Sequence, residues 1–253
     1  MSDVCRLCDE PAVLCDSHIV PEFLFRMIYG NVHRLVGVDE RVDFAKTLQI
    51  GVRHKLFCKK CESFLNENIE QPFKSIFDTG LWEKSRPLGI VGSSEVRKNE
   101  EVDYRVTKLF FISILWRFSL VPSSNFFIAP GLGPHGDHMK IMVKDLEPRS
   151  EEVYPVRLYH LTLLGKGADL ISGPNYTKDG KFCYYRFLIP NYLVEIQVGS
   201  ERLMMGQSNS LNLKGDNSLI MFQIDLGEAN DFHKLHQKVL AVKPPKWITN
   251  SEK

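Results

Sequence analysis

The sequence predicts an α+β protein in two parts: a metal-stabilised treble-clef segment over residues 1–95, and an α+β segment with an antiparallel sheet over 96–253. Three observations predict it. Cys5-Arg-Leu-Cys8 and Cys58-Lys-Lys-Cys61 are two Cys-x-x-Cys pairs, each able to present both sulfurs to one ion, with a long stretch between them that suits a treble clef. A strongly apolar helical stretch spans 103–119. Beyond it, 153–164, 182–189, 192–198 and 218–224 are rich in β-branched and aromatic residues and separated by Gly, Pro, Asn or Asp, as strands are.

Taken in order, the first knuckle is followed by 11–20, which alternates as a short strand or hairpin and stops at Pro21. A helix runs from Glu22 to Tyr29, with Phe23, Leu24, Met27 and Ile28 at helical spacing and Gly30-Asn31 as its stop. The second cysteine pair opens another helix, 61–71, with Phe64, Leu65 and Ile69 on one side and Glu62, Asn66 and Glu70 on another. Pro72 either kinks it or starts a new turn. Residues 85–94 read as a linker, which places the boundary near 95. After the apolar helix comes a Pro, Ser and Gly-rich loop over 121–135, then a short helix over 137–145. Lys178-Asp-Gly-Lys181 is a hairpin turn, and a last helix over 228–242 is stopped by Pro244-Pro245. No internal repeat or low-complexity tract is present.

At 253 residues and 43% hydrophobic, the chain is long enough to bury a substantial core. Lys plus Arg number 32 against 31 Asp plus Glu, so net charge neither favours nor excludes a polyanionic partner, and any nucleic-acid surface must come from local clustering. Four of the six cysteines lie in the two pairs, leaving Cys15 and Cys183. With no signal peptide at the N-terminus, that usage points to a cytoplasmic, metal-binding protein. The longest apolar run, 109–116, falls far short of the ~20 residues of a membrane span.

Cysteine thiolates are soft ligands and zinc takes four in a tetrahedron, so Cys5, Cys8, Cys58 and Cys61 are expected to hold structural Zn2+. Around them run Asp16-Ser17-His18-Ile19-Val20-Pro21 and Leu56-Phe57-Cys58-Lys-Lys-Cys61-Glu62. This string resembles the HNH (ββα-metal) endonuclease family over about residues 5–70; zinc-bearing members run Cys-x-x-Cys, Asp-His-Ile-x-Pro, Asn-Leu-x-x-Leu-Cys-x-x-Cys-His. The resemblance implies a hydrolase that cuts phosphodiester bonds, with His18 as the general base activating water and Glu62 as a ligand of a catalytic Mg2+ or Mn2+. Nucleases of this type occur in mobile elements and phage-defence systems. The chain departs from the pattern at Ser17, Arg53 and Glu62, where the family has Asp, Asn and His or Asn. The carboxylate then moves from strand to helix: Glu62 is a hard oxygen ligand, Asn66 lies one turn on, and Asp16, on the same strand face as His18, orients the imidazole or joins the metal shell. DNA is the expected partner, ahead of RNA, with a protein partner for the second segment.

The other reading is a non-catalytic zinc module that binds DNA or protein. His18 would then be structural; Cys15 and His18 also have metal-ligand spacing. Arg53, Lys55, Lys59 and Lys60 are the candidate phosphate contacts, within a basic stretch that includes Arg26, His33, Arg34, Arg41, Lys46 and His54. Phe25 and Tyr29 can stack on bases if exposed, whereas Phe23 and Leu24 read as core.

Elsewhere, Pro134-His135-Gly-Asp137-His138 reads as a helix start with Asp137 as N-cap and solvated histidines. His233 and His236 face solvent, and Trp116-Arg117 is an anchor whose arginine pairs with a carboxylate. The segments 131–133 and 165–167 lack the context of phosphate loops, and there is no Gly-x-Ser-x-Gly elbow.

Overall fold

The computed structural model describes residues 3–28, 35–38, 45–48, 52–124, 127–163, 166–199 and 211–228. Two short strands, β1 (Asp3–Val4) and β2 (Pro11–Ala12), pair across the first cysteine knuckle. Strand β3 (Leu14–His18) leads through Pro21 into α1 (Glu22–Ile28). A hairpin of β4 (Leu35–Val38) and β5 (Ala45–Leu48) precedes β6 (Arg53–Cys58), which pairs antiparallel with β3. Helix α2 (Lys59–Leu65) starts at the second cysteine pair and packs on both strands.

Helix α2 does not stop at Pro72. A π-helical turn over Asn66–Glu70 carries it into α3 (Gln71–Asp78). Pro72 has no N–H to close the usual i→i−4 bond, and the wider turn ahead of it, closed by the Gln71 N–H on the Asn66 carbonyl, lets the chain stay helical.

The segment expected as a linker is instead a hairpin, β7 (Arg86–Val91) with β8 (Ser94–Asn99), so the boundary placed near 95 falls inside it. Gly92 sits at φ +62 in its two-residue turn, and Pro87 is tolerated because β7 is an edge strand. Asp103 caps α4 (Tyr104–Ser119), its side chain accepting from the Val106 N–H at 2.8 Å. Helix α5 covers Pro134–Asp145, starting earlier than expected because Pro134 supplies a ready-made first turn.

The sheet is completed by β9 (Val156–Leu163), β10 (Lys166–Gly167), β11 (Asn175–Asp179), β12 (Phe182–Ile189), β13 (Tyr192–Val198) and β14 (Leu219–Asp225). Its order is β11-β12-β13-β9-β14-β8-β7, with β10 paired to β9. All pairs are antiparallel except β14 with β9; that parallel pair and the β7–β8 hairpin at one edge depart from the expected sheet. Gly180, at φ +56, makes the expected turn between β11 and β12. The last helix expected over 228–242, with His233 and His236, lies outside the described residues.

Helix α4 is the centre of the molecule. Every residue from Val106 to Phe118 is buried, Lys108 and Arg117 included, so the helix is covered on all sides. One side meets the sheet face made by Val156, Leu158, Phe187, Val194 and Met221. The other meets the cysteine-bearing unit: Phe110 stacks on Phe73 at 3.8 Å and Trp116 on Phe57 at 5.6 Å. The two parts of the chain thus share one hydrophobic cluster. No described helix is long and apolar enough to cross a membrane.

Candidate functional site at the four-cysteine cluster and His18

The knuckle forms because Asp9 adopts φ +62 and its N–H closes on the Cys5 carbonyl at 3.0 Å, turning Cys5 and Cys8 the same way. Cys58 ends β6 and Cys61 lies in the first turn of α2. Pairing of Arg6 N–H with the Leu56 carbonyl, at 3.0 Å, brings the two pairs together. The four sulfurs lie within 4.8 Å of one another, so the cluster can hold one metal ion. Donor chemistry supports the fit. Burial works against the Cys5 thiolate, yet the N–H groups of Cys8, Cys58 and Leu7 outweigh it and bring the thiol to about 7, while Cys61 is pushed up by burial and by its neighbouring thiols.

His18 ends β3. Strand alternation sends Ser17 inward, 1% exposed, where its hydroxyl accepts the Phe57 N–H at 3.3 Å; Asp16 and His18 share the outer face, as expected. Asp16 does not reach the imidazole. It is exposed and turned to Arg53, its cross-strand diagonal neighbour, at 3.9 Å. The carboxylate at His18 is Glu22, the first residue of α1, whose Oε2 lies 2.8 Å from Nε2 without the alignment of a well-formed hydrogen bond. Arg53 approaches the same Oε2 at 3.9 Å. Burial, then Arg53, hold His18 below its ordinary value; Glu22 and Glu70 push it back up.

Glu62 is half-buried on α2, with Oε1 buried and unpartnered. Asn66 is exposed and accepts from Gln71 Nε2 at 3.2 Å. Apart from the cysteines, no three His, Cys, Asp or Glu ligand atoms converge among the described residues, so Asp16, Glu62 and His18 are not gathered into a second metal shell.

Glu70, unlike Asn66, does join the site. Two turns of a regular helix take about seven residues, which would return Ile69 to the bearing of Glu62. The extra residue of the π turn gives that place to Glu70 and leaves Ile69 in the core, 0% exposed. Glu70 pairs with Arg117 of α4, Oε1 to Nη1 at 2.7 Å, and the same Nη1 donates to the His18 carbonyl at 3.3 Å. Sequence reasoning missed Glu22 and this role of Glu70. The signals were a carboxylate four residues past His18 across Pro21, and one eight residues past Glu62 with a proline close behind.

Arg53, His54, Lys55, Lys59 and Lys60 are all exposed on β6 and the first turn of α2, and Arg26 is exposed on α1. Phe25 is buried, so it is core and offers no stacking surface. Tyr29, His33, Arg34, Arg41 and the Lys46 side chain lie outside the described residues. His135 and His138 are not simply solvated: their Nδ1 atoms lie 3.0 and 3.2 Å from the Tyr154 hydroxyl, and Gly133, not Asp137, precedes the helix.

Nine buried side-chain nitrogen or oxygen atoms among the described residues have no hydrogen-bond partner; five belong to His18, Glu22, Glu62 and Arg117. Two of these five, His18 Nε2 and Glu22 Oε2, face each other at 2.8 Å, so the atoms left without any polar neighbour are Glu62 Oε1 and Nε and Nη2 of Arg117. No protein-family model, curated protein or solved structure matches the chain.

Proposed function

We propose that the first segment is a zinc-stabilised treble-clef unit of HNH type that hydrolyses phosphodiester bonds in DNA. The observation that carries this reading is the oriented, half-buried His18 beside Glu22 and Arg53, at the end of a strand whose hairpin partner runs into the second cysteine pair. Zinc fits the four clustered thiols and would hold the knuckle onto α2. Glu22 on Nε2 leaves Nδ1 to take a proton from water, and a histidine held below its ordinary value is neutral, hence a competent base, at neutral pH. Arg53 meets phosphate charge, and Lys55, Lys59 and Lys60 bind the flanking backbone. A bound Mg2+ or Mn2+ would take an oxygen from Glu62 and supply Lewis-acid stabilisation of the phosphate. Asp16 and Asn66 do not join it in this arrangement, so the chemistry assigned here rests on the chain's own side chains.

The second reading, a zinc module that binds DNA or protein without cutting, is favoured by one observation: Asp16 and Asn66 are committed to Arg53 and Gln71. Cleavage of plasmid and single-stranded DNA, with Mg2+ or Mn2+ and with chelator, separates the two. On the nuclease reading His18→Ala loses at least ~100-fold in rate. Activity equal to wild type in both His18→Ala and Glu22→Gln removes the nuclease site proposed here, and no activity in wild type leaves the binding module.

A further inference from the structure

We propose that Arg117 is a positioning residue of the His18 site, so that the site is complete only with α4 docked against it. The proposal deepens the nuclease reading and takes the nature of the site from it. Arg117 lies on α4, ninety-nine residues from His18, with its side chain 2% exposed. Its guanidinium reaches three elements of the cysteine-bearing unit: it bonds the His18 carbonyl at the end of β3 and Glu70 in the π turn, and its carbon lies 5.9 Å from the ring centroid of Phe57 on β6. Trp116, next to it, stacks on that same phenyl ring.

A buried ion pair is a poor device for stability, since desolvation offsets most of its Coulombic gain. An arginine placed only for stability would also spend its planar fork on partners, yet Nε and Nη2 have none. What the contacts do achieve is geometric. The bond to the His18 carbonyl fixes the peptide plane of the histidine itself, Glu22 fixes its ring, and the Arg117–Glu70 pair holds the π turn that sets the helix face opposite. Removing Arg117 frees backbone and π turn together, and a displacement of about 1 Å at a reacting group can cost on the order of 100-fold in rate.

The test uses the full-length, zinc-loaded chain with Arg117→Lys, Arg117→Met and Glu70→Gln. The first readout is the ring nitrogen spectrum of His18 by NMR. Wild type gives one tautomer; Arg117→Met and Glu70→Gln shift the His18 signals and mix the tautomers, and Arg117→Lys, which keeps charge but loses the fork, restores them only in part. Where Arg117→Met fails to fold, the other two variants carry the test. Unchanged His18 signals in folded Arg117→Lys and Glu70→Gln overturn the proposal, whatever their melting temperatures. The second readout, if wild type cuts DNA, is a loss in kcat with KM little changed; a rise in KM with kcat unchanged also overturns it. A wild type that does not cut ends the nuclease reading, while the His18 spectrum still decides the role of Arg117.

Discussion

Glu22 Oε2 lies 2.8 Å from His18 Nε2, across the proline that ends β3 and opens α1. The contact joins two secondary structures through one tight corner, so the ring is held by a carboxylate that the same corner positions. Arg53, close to that oxygen, keeps the pair from gaining full negative character.

The charges around His18 set the acid limb of any cleavage profile. Burial and Arg53 lower its proton affinity and Glu22 raises it. Arg53→Gln therefore moves the limb to higher pH, and Glu22→Gln moves it lower while also cutting the rate by about 10-fold or more through lost orientation. Rate against pH for the three proteins checks the signs.

One zinc per chain is expected by metal analysis, and none in Cys61→Ser. The cluster closes a knuckle whose own core is small, and structural zinc contributes on the order of 10 kcal/mol in isolated fingers. Chelation is expected to expose the amides of β1, β2 and α2 to hydrogen exchange while α4 and the β9–β13 core stay protected; uniform protection after chelation would contradict it.

Lys108 is 1% exposed on α4, its ammonium bonded to the Tyr104 hydroxyl at 2.9 Å and the Ser150 carbonyl at 2.5 Å. Burial lowers it from 10.5 to about 7, with Glu151 opposing. Between those two values the unfolded chain binds a proton that the folded chain does not, so this residue makes stability rise with pH through that window, and below about 7 its full penalty remains. Lys108→Met is expected to melt higher than wild type at pH 6, with the advantage shrinking toward pH 10. Parallel melting curves across that range would refute it.

Phosphate contacts predict a salt signature. Replacing Lys55, Lys59 and Lys60 together with Gln should weaken DNA binding uniformly across sequences and reduce the slope of log K against log salt by roughly 2 to 3. An unchanged slope would remove these residues from the interface.

Local spacing made part of this legible. Each cysteine pair forms because it needs only a tight turn, and Ser17 turns inward while Asp16 and His18 face out because strand alternation is a property of the backbone. What linear spacing did not reveal is which side chains Asp16 and Asn66 face: Arg53 at 3.9 Å and Gln71 at 3.2 Å. The linker over 85–94 failed because Gly and Pro mark hairpin turns and edge strands as readily as they mark loops.

The sequence by itself determined the two cysteine knuckles, the outward His18, the central apolar helix and most of the strands, since each depends on periodicity or on residues a few positions apart. Only the tertiary structure decided which groups meet His18. The reach of Arg117 from α4 to the His18 carbonyl and to Glu70 exists because packing of distant elements chose among local geometries of similar energy.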